Sequence, residues 1–293
     1  MFNINNLVKL KKKNQVGGRV KKSKKKNLQK SINKFNELIN FTNSELSLSL
    51  IIRNIHTILI QLNNMVKNYN IETIVIIGDS PAIFAKLYQM KVNEFLSKRD
   101  IDTSLLNFRD LLKNLKIKYL PLSRLGTFES KDNIENLNNK IDDIKDEFKG
   151  KILWIDYINS GFSFLNFYDS LPKDVLKRSY YYLYGTHNYT KSEFLDLRDK
   201  LIKKKKMNYF DVDYYSIFGI FLARTLGNSE RHETRCVEFH DSINLNKLVL
   251  YDDKDVPTKK LKKYMKKSYC SDIAEVLYQF MLYEGLENIF LSN

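Results

Sequence analysis

Cysteine, proline and glycine are all scarce in these 293 residues. Two cysteines, Cys236 and Cys270, cannot build a disulfide framework, which points to a reducing compartment. Four prolines and ten glycines argue against a loop-rich or fibrous chain. No apolar run approaches the roughly 18 residues of a membrane span, so no transmembrane segment is expected. The charged start has no apolar signal core behind it, so secretion is not expected either. The expected location is therefore soluble and intracellular, cytoplasmic or nuclear. Acids are missing from one stretch altogether. Residues 1–36 hold twelve Lys or Arg and no Asp or Glu, and the first carboxylate is Glu37. Twelve of the fifteen net positive charges lie there, and the remaining 257 residues are nearly balanced at +3.

The hydrophobic content of 43%, with 13% aromatics, is ample for a packed core in one large domain or two smaller ones. Lys, Asn, Ile and Tyr are abundant, a bias that an AT-rich coding genome also produces. Residues 1–30 have no sustained apolar period and are interrupted by Gly17-Gly18. Such a segment cannot bury enough apolar surface to offset its ordering entropy, so a disordered basic arm is expected. Its cations, Lys11, Lys12, Lys13, Arg19, Lys21, Lys22, Lys24, Lys25 and Lys26, suit salt-dependent, sequence-independent contact with nucleic acid. A nuclear-import signal, contact with an anionic membrane, or a plain solvated tail fits the same composition. No aromatic residue lies between Phe2 and Phe35, so base stacking by the arm is not expected.

From Lys30 to Tyr69 apolar residues recur at helical spacing, and two helices fit, with Asn43 or Ser44 capping the second. Thr73 to Ile77 is a β-branched run without alternation, as expected of a strand buried on both faces. Gly78-Asp79-Ser80-Pro81 breaks it, and a helix is expected from Ala82 to Phe95. A helix over about 103–115 leads to a strand at Ile117 to Leu120. Residues 127–148 read as loop plus an exposed helix. A third strand is expected at Ile152 to Ile155, a helix at Phe162 to Leu171, and a fourth strand at Tyr180 to Tyr184. This alternation implies an α/β fold with a doubly wound, mostly parallel sheet. N-terminal helices would precede the sheet, and a C-terminal α+β extension would follow it. The expected organisation is an arm at 1–30, the α/β domain at 31–200, and a mixed extension of the same body at 201–293. In that extension Tyr214 to Leu226 reads as helix, Leu245 to Tyr251 as strand, and Ser271 or Asp272 as the cap of a helix running to Phe290.

Two strand-to-helix turns would lie at the carboxyl edge of the sheet, where open α/β folds bind ligands. One is Gly78-Asp79-Ser80-Pro81-Ala82. The other is Asp156 to Ser163, which offers the hydroxyls of Ser160 and Ser163 and the N–H groups of Ser160, Gly161 and Phe162 at a helix start. Those donors suit a monophosphate, and Asp156 could hold sugar hydroxyls or a hydrated Mg²⁺.

On these residues the chain resembles the type I phosphoribosyltransferase family over roughly residues 70–190. That family's signature is an apolar strand, two acids, two apolar residues and an acid-Thr-Gly-x-Thr phosphate loop. Asp156 falls on the second acid, Tyr157 and Ile158 on the apolar pair, Asn159 on the loop acid, and Ser160, Gly161 and Ser163 on its Thr, Gly and Thr. Gly78, Asp79 and Ser80 look like the pyrophosphate loop, with Ile83 to Leu87 similar to the helix after it. The resemblance implies binding of a phosphorylated ribose or nucleotide. An active member would carry out Mg²⁺-dependent glycosyl transfer, with the base held by the C-terminal region. The departures imply a catalytically degenerate one. Ile155 stands where the first acid should be, and Asn159 cannot act as a base near neutral pH. Asp79 puts a like charge where pyrophosphate would sit, which costs several kcal/mol even at an effective dielectric of about 20.

Other readings attach to the same residues. A non-catalytic, nucleic-acid-associated interaction protein would keep the fold and use the basic arm. An SGNH-type esterase would use Ser80 of Gly78-Asp79-Ser80 as nucleophile, but no Asp-x-x-His block follows near the C-terminus. His232, Cys236 and His240 fall at helical spacing for zinc, although a solvated polar segment fits them better, and no metal site is assigned. Asp211 and Asp213 share a period of two, with Asp213 suited to cap the next helix. Tyr180, Tyr181, Tyr182 and Tyr184 could stack a base or simply pack a strand. Lys203 to Lys206 read as a solvated helix end.

Overall fold

The computed structural model describes residues 45–77, 81–98, 102–120, 150–158, 160–185 and 191–213, with single positions and short stretches at 216, 218, 243–244, 274, 277–278, 281–282, 284–286 and 289–290. The basic arm, residues 127–148, Leu245 to Tyr251, the histidines His232 and His240 with Cys236, and nearly all of Tyr214 to Leu226 lie outside the described residues.

Helix α1 (Glu45–Tyr69) is the long N-terminal helix, starting one residue after Ser44. Strand β1 (Thr73–Ile77) is buried at every position, as its unbroken β-branched run requires. Helix α2 (Ala82–Ser97) follows from Pro81. A short 3₁₀ turn (Thr103–Leu105), whose N–H of Ser104 is accepted by Asp102, leads into α3 (Leu106–Asn114) and β2 (Lys116–Leu120). Then come β3 (Ile152–Ile158), α4 (Phe162–Ser170), α5 (Lys173–Arg178), β4 (Ser179–Gly185), α6 (Ser192–Lys203), β5 (Met207–Asp211) and the two-residue β6 (Ile243–Asn244).

The strands form one sheet in the order β5-β4-β3-β1-β2-β6, in which β1 to β5 are parallel and β6 is antiparallel to β2. The architecture is thus α/β with a mostly parallel sheet. The chain leaves β1 toward β2 on one side and takes up β3 on the other. Right-handed crossovers that run in opposite directions put their helices on opposite faces. Accordingly, α2 and α3 share one core with α1, in which Ile74, Ile76, Leu153, Ile155, Tyr182 and Tyr184 supply the sheet's side. Helices α4, α5 and α6 cover the other face, packing Phe164, Phe167, Val175, Phe194 and Leu201 against Val75, Ile77, Trp154, Ile158, Tyr181 and Leu183.

The sheet continues beyond residue 200, where the sequence reading ends the α/β domain, because β5 pairs with β4 from Tyr181↔Met207 to Gly185↔Asp211. Residues near the C-terminus also enter the first core. Ala274, Leu277, Met281, Ile289 and Phe290 are buried there, with the Phe290 ring 4.6 Å from that of Phe95. Asn63 donates to the Ile289 carbonyl at 3.0 Å and accepts from the Tyr88 hydroxyl at 3.2 Å. Lys91, almost fully buried, lies 3.4 Å from Glu94 and 4.6 Å above the ring of Tyr278, whose hydroxyl donates to Glu94. Helix α2 is consequently buried nearly all round, between α1, the sheet and this last segment.

Three helix ends share one device. After α1, the N–H groups of Asn70 and Ile71 donate to Lys67 and Val66; after α6, those of Lys205 and Lys206 donate to Ile202 and Leu201; near the C-terminus, those of Gly285 and Leu286 donate to Leu282 and Met281. The first residue of each pair has positive φ, at 49°, 55° and 69°. These are Schellman closures, which use up the last orphan carbonyls of the helix. The closure at Gly285 ends the last helix before Phe290, short of the sequence expectation. The device favours glycine, and only Gly285 supplies one.

Candidate functional site

Strands β1 and β3 are hydrogen-bonded neighbours, in register from Thr73↔Ile152 to Ile76↔Ile155. The segments that follow Ile77 and Ile158 therefore leave the same sheet edge, at the place where the connections diverge to opposite faces. Such divergence opens a crevice outside the carboxyl ends of the strands. Gly78, Asp79 and Ser80 lie outside the described residues, as does Asn159. The described chain resumes at buried Pro81, whose carbonyl accepts from Phe84 and Ala85 at the start of α2.

The third strand is longer than the apolar run suggests. It extends from Ile152 to Ile158, because β4 pairs with it residue by residue as far as Ile158↔Gly185. Asp156 thus sits inside the ladder, opposite Leu183, rather than at the strand's end. By strand alternation it shares a face with Trp154 and Ile158, the face that α4 and α6 cover. Its Oδ1 accepts the Tyr157 N–H at 2.7 Å. Burial pushes its carboxyl well above the ordinary carboxylate range, and that hydrogen bond offsets the shift only in part. Some of the Asp156 surface still reaches solvent, so the acid is half-buried within the strand ladder.

Two close contacts fix the backbone at this edge. Gly185 passes so near β3 that a Cβ built on it would fall 1.9 Å from the Ile158 carbonyl oxygen. Gly161 has φ of 81°, and a Cβ there would lie 2.4 Å from Cγ of Phe194. The left-handed turn and the Phe194 ring together require glycine. Gly161 is the N-cap of α4 and has no side chain to cap the helix. Ser160 Oγ accepts the Phe162 N–H at a long 3.4 Å, and the Gly161 carbonyl accepts from Leu165 at 2.9 Å. Ser163 lies in the first turn of α4 and is partly exposed. Of the expected phosphate-binding residues, Ser160, Gly161 and Ser163 therefore stand together at a helix start, and Asp156 lies within the preceding strand.

One residue at this edge escaped sequence reasoning. Lys191 precedes α6; its N–H donates to the Ser160 carbonyl at 3.0 Å, and its ammonium lies 4.3 Å from the centre of the Phe162 ring. That bond draws the start of α6 up to the start of α4. The two helix N-termini, each carrying partial positive charge, are brought together beside an exposed lysine. The signal available in the sequence was the amphipathic spacing Phe194, Leu197, Leu201, which marks a helix whose start must return to this edge.

The remaining expectations resolve locally. Tyr181 packs on one face of the sheet, and Tyr182 and Tyr184 on the other; all three are buried, so they serve as strand packing rather than as a base platform. The Tyr182 hydroxyl donates to Gln61 at 2.8 Å. Asp211 ends β5, and the Asp213 carbonyl accepts from both the N–H and the hydroxyl of Ser216 in a turn. Lys203 to Lys206 form the helix end expected of them. Among the described residues no group of three or more His, Cys, Asp or Glu assembles, and no helix is long and apolar enough to cross a membrane. Comparisons with family models, with curated proteins and with solved structures gave no match.

Proposed function

We propose that this chain binds a phosphate monoester, a phosphorylated ribose or nucleotide, at the carboxyl edge of β3, as a catalytically degenerate phosphoribosyltransferase-like protein. The observation that carries the reading is the pairing of the α4 and α6 N-termini through Lys191 and Ser160. Helix N-termini offer backbone N–H groups and a favourable dipole to an anion, and here two of them are joined by the Lys191 N–H to Ser160 carbonyl bond, with the Lys191 ammonium and the hydroxyls of Ser160 and Ser163 beside them.

The same residues limit the chemistry. Burial that raises the Asp156 carboxyl favours its protonated form, which donates to a sugar hydroxyl and is a poor ligand for a hard cation. The described donor set at this edge (Asp156, Ser160, Ser163) therefore suits an anion with hydroxyls better than it suits Mg²⁺. Asn159 cannot act as a general base near neutral pH, and Ile155 stands where the first acid would be; these departures favour binding over turnover.

The test is thermal unfolding with ribose 5-phosphate, nucleoside monophosphates and phosphoribosyl pyrophosphate, each with and without Mg²⁺. A ligand at about a hundredfold excess over its Kd adds about 2.7 kcal/mol of stability. Lys191→Gln, at an exposed position, is expected to weaken the stabilisation while leaving the free protein's melting temperature unchanged. Gly161→Trp is expected to abolish the response. A flat response across the whole panel refutes the proposal.

A further inference from the structure

The opposite edge of the sheet has a different character. There the residues that lead into the parallel strands are basic in succession. Lys151 precedes β3, Lys177 and Arg178 precede β4, and Lys204, Lys205 and Lys206 precede β5. Lys151, Lys177, Lys204 and Lys205 are exposed, and Arg178 and Lys206 are half-buried.

These side chains are tied to one another through the backbone beneath them. Lys206 Nζ donates to the Lys177 carbonyl at 2.9 Å and lies 4.1 Å from the centre of the Tyr180 ring. Arg178 Nη1 donates to the Gly150 carbonyl at 2.9 Å, and the Lys151 carbonyl accepts from Glu72 and Thr73 at the start of β1. Two acids lie at this edge: Asp174, 3.6 Å from Arg178, and Glu72, which precedes β1 and whose carboxyl packs against Gly150. Lys206 is pushed below the usual lysine range, first by burial and then by the charge of Lys151. The α6 closure also places Lys205 at a φ of 55°, where glycine would fit without strain; the fold keeps a cation at a backbone position that disfavours one.

We propose that this amino-terminal sheet edge, Lys151, Lys177, Arg178, Lys204, Lys205 and Lys206, is a binding surface for the phosphate backbone of nucleic acid. Parallel strands lie about 4.8 Å apart, so the row across β3, β4 and β5 spans about 10 Å. Over that length one strand of a duplex presents about three phosphates. A linear row of cations matches a linear polyanion. An anionic membrane would require an apolar patch beside the lysines. Among the described residues the exposed large apolar side chains are Leu50, Leu106 and Ile202; of these only Ile202 lies beside the lysines, two residues before Lys204, and a single side chain is not such a patch. Tyr69 and Tyr180 stack on each other, with centroids 4.5 Å apart, so recognition is of the backbone and carries no base preference. This surface is independent of the phosphate-ester site at the other edge, and of the basic arm.

The test uses the full chain in two backgrounds, native and with Lys11, Lys12, Lys13, Arg19, Lys21, Lys22, Lys24, Lys25 and Lys26 changed to Gln to silence the arm. Anisotropy of labelled single-stranded and duplex oligonucleotides is followed from about 50 to about 200 mM salt. In both backgrounds the triple variant Lys151→Gln, Lys204→Gln, Lys205→Gln is expected to lose about tenfold or more in affinity. Its log–log salt slope on duplex should fall by about 2 to 3, at about 0.9 for each phosphate no longer neutralised. The corresponding Lys→Arg triple variant should bind as the parent does, which separates charge from folding; failure of the Arg variant to bind overturns the proposal. So does a Gln variant with unchanged affinity and slope in the arm-silenced background. Loss of binding to phosphatidylserine vesicles with nucleic-acid binding intact would assign the edge to membranes and refute it as well.

Discussion

Replacing Gly161 with alanine perturbs the loop at two points that can be separated. The residue sits at φ of 81°, and the added Cβ would fall 2.4 Å from Cγ, 2.6 Å from Cβ and 2.9 Å from Cδ2 of Phe194. The left-handed conformation costs an L-residue about 1–2 kcal/mol. The overlap cannot be relieved by a rotamer change, because Phe194 is fully buried and its Cβ is fixed to α6, with the ring edge-on to Phe164 at 5.8 Å. Overpacking of this kind costs about 1–3 kcal/mol. The expected total is about 2–5 kcal/mol, or a fall in melting temperature of roughly 5–15 °C at about 2–4 °C per kcal/mol. Gly285 is the internal control: its φ of 69° is similar, but nothing lies within 4 Å of its Cβ, so Gly285→Ala should lose only the conformational share. Trp154, the chain's single tryptophan, is fully buried 4.9 Å from Phe167 on α4, and its emission reports on the element that Gly161 begins. Combining Gly161→Ala with Phe194→Ala should recover about 1–2 kcal/mol relative to additivity; full recovery is not expected, because the Cβ contact remains. If Gly161→Ala costs no more than Gly285→Ala, the Phe194 contact does not shape this loop and the reasoning fails.

Other perturbations give expectations of equal sharpness. The raised Asp156 carboxyl binds its proton more tightly in the folded state, so its stabilisation is complete below the unfolded value of 3.8 and is lost as pH climbs through the folded one. Asp156→Asn should therefore gain in melting temperature relative to the parent between about pH 4 and about pH 7; an equal difference at both ends would contradict the burial argument. Ser179, fully buried, accepts the Trp154 Nε1–H at 2.8 Å and donates to the Val175 carbonyl at 2.8 Å. Ser179→Ala leaves both groups unmatched and should cost about 1–3 kcal/mol by urea unfolding, with a shift in Trp154 emission; unchanged stability and emission would argue against the relay. Lys205→Gly relieves a left-handed residue and should stabilise by about 1 kcal/mol in the same assay, while weakening any polyanion binding; destabilisation would contradict the closure described for α6.

The sheet was legible wherever burial on both faces produced a dense apolar run, as at Thr73 to Ile77 and Ile152 to Ile155. It was less legible where burial was unequal. Strand β5, Met207-Asn208-Tyr209-Phe210-Asp211, lies at the edge and has neither alternation nor β-branching to mark it. The third strand was read three residues short because a carboxyl ends an apolar run, whereas the ladder to β4 carries Asp156 on through Ile158. Its period-two kinship with Trp154 and Ile158 was the clue to its inward face. At the candidate site, Ser160, Gly161 and Ser163 were visible as small residues before a helix. Lys191 was not, because a bond between residues about 30 apart in sequence has no local signature. The juxtaposition of the two turns depended on the order of strands, which no single segment encodes.

The seating of residues 274–290 in the first core has a consequence for how this protein is made. Helix α2 is finished before residue 98, yet Phe95 and Lys91 wait for Phe290 and Tyr278 to cover them. At about 5–20 residues per second of synthesis, that interval is roughly 10–40 s. During it, the sheet's other face can close with α4, α5 and α6, all of which precede residue 204. The nascent chain would thus leave the ribosome with one side finished and the other holding an open apolar cleft. A product of premature termination after β5 would carry that cleft permanently, which makes such truncated chains natural clients for chaperones and proteases.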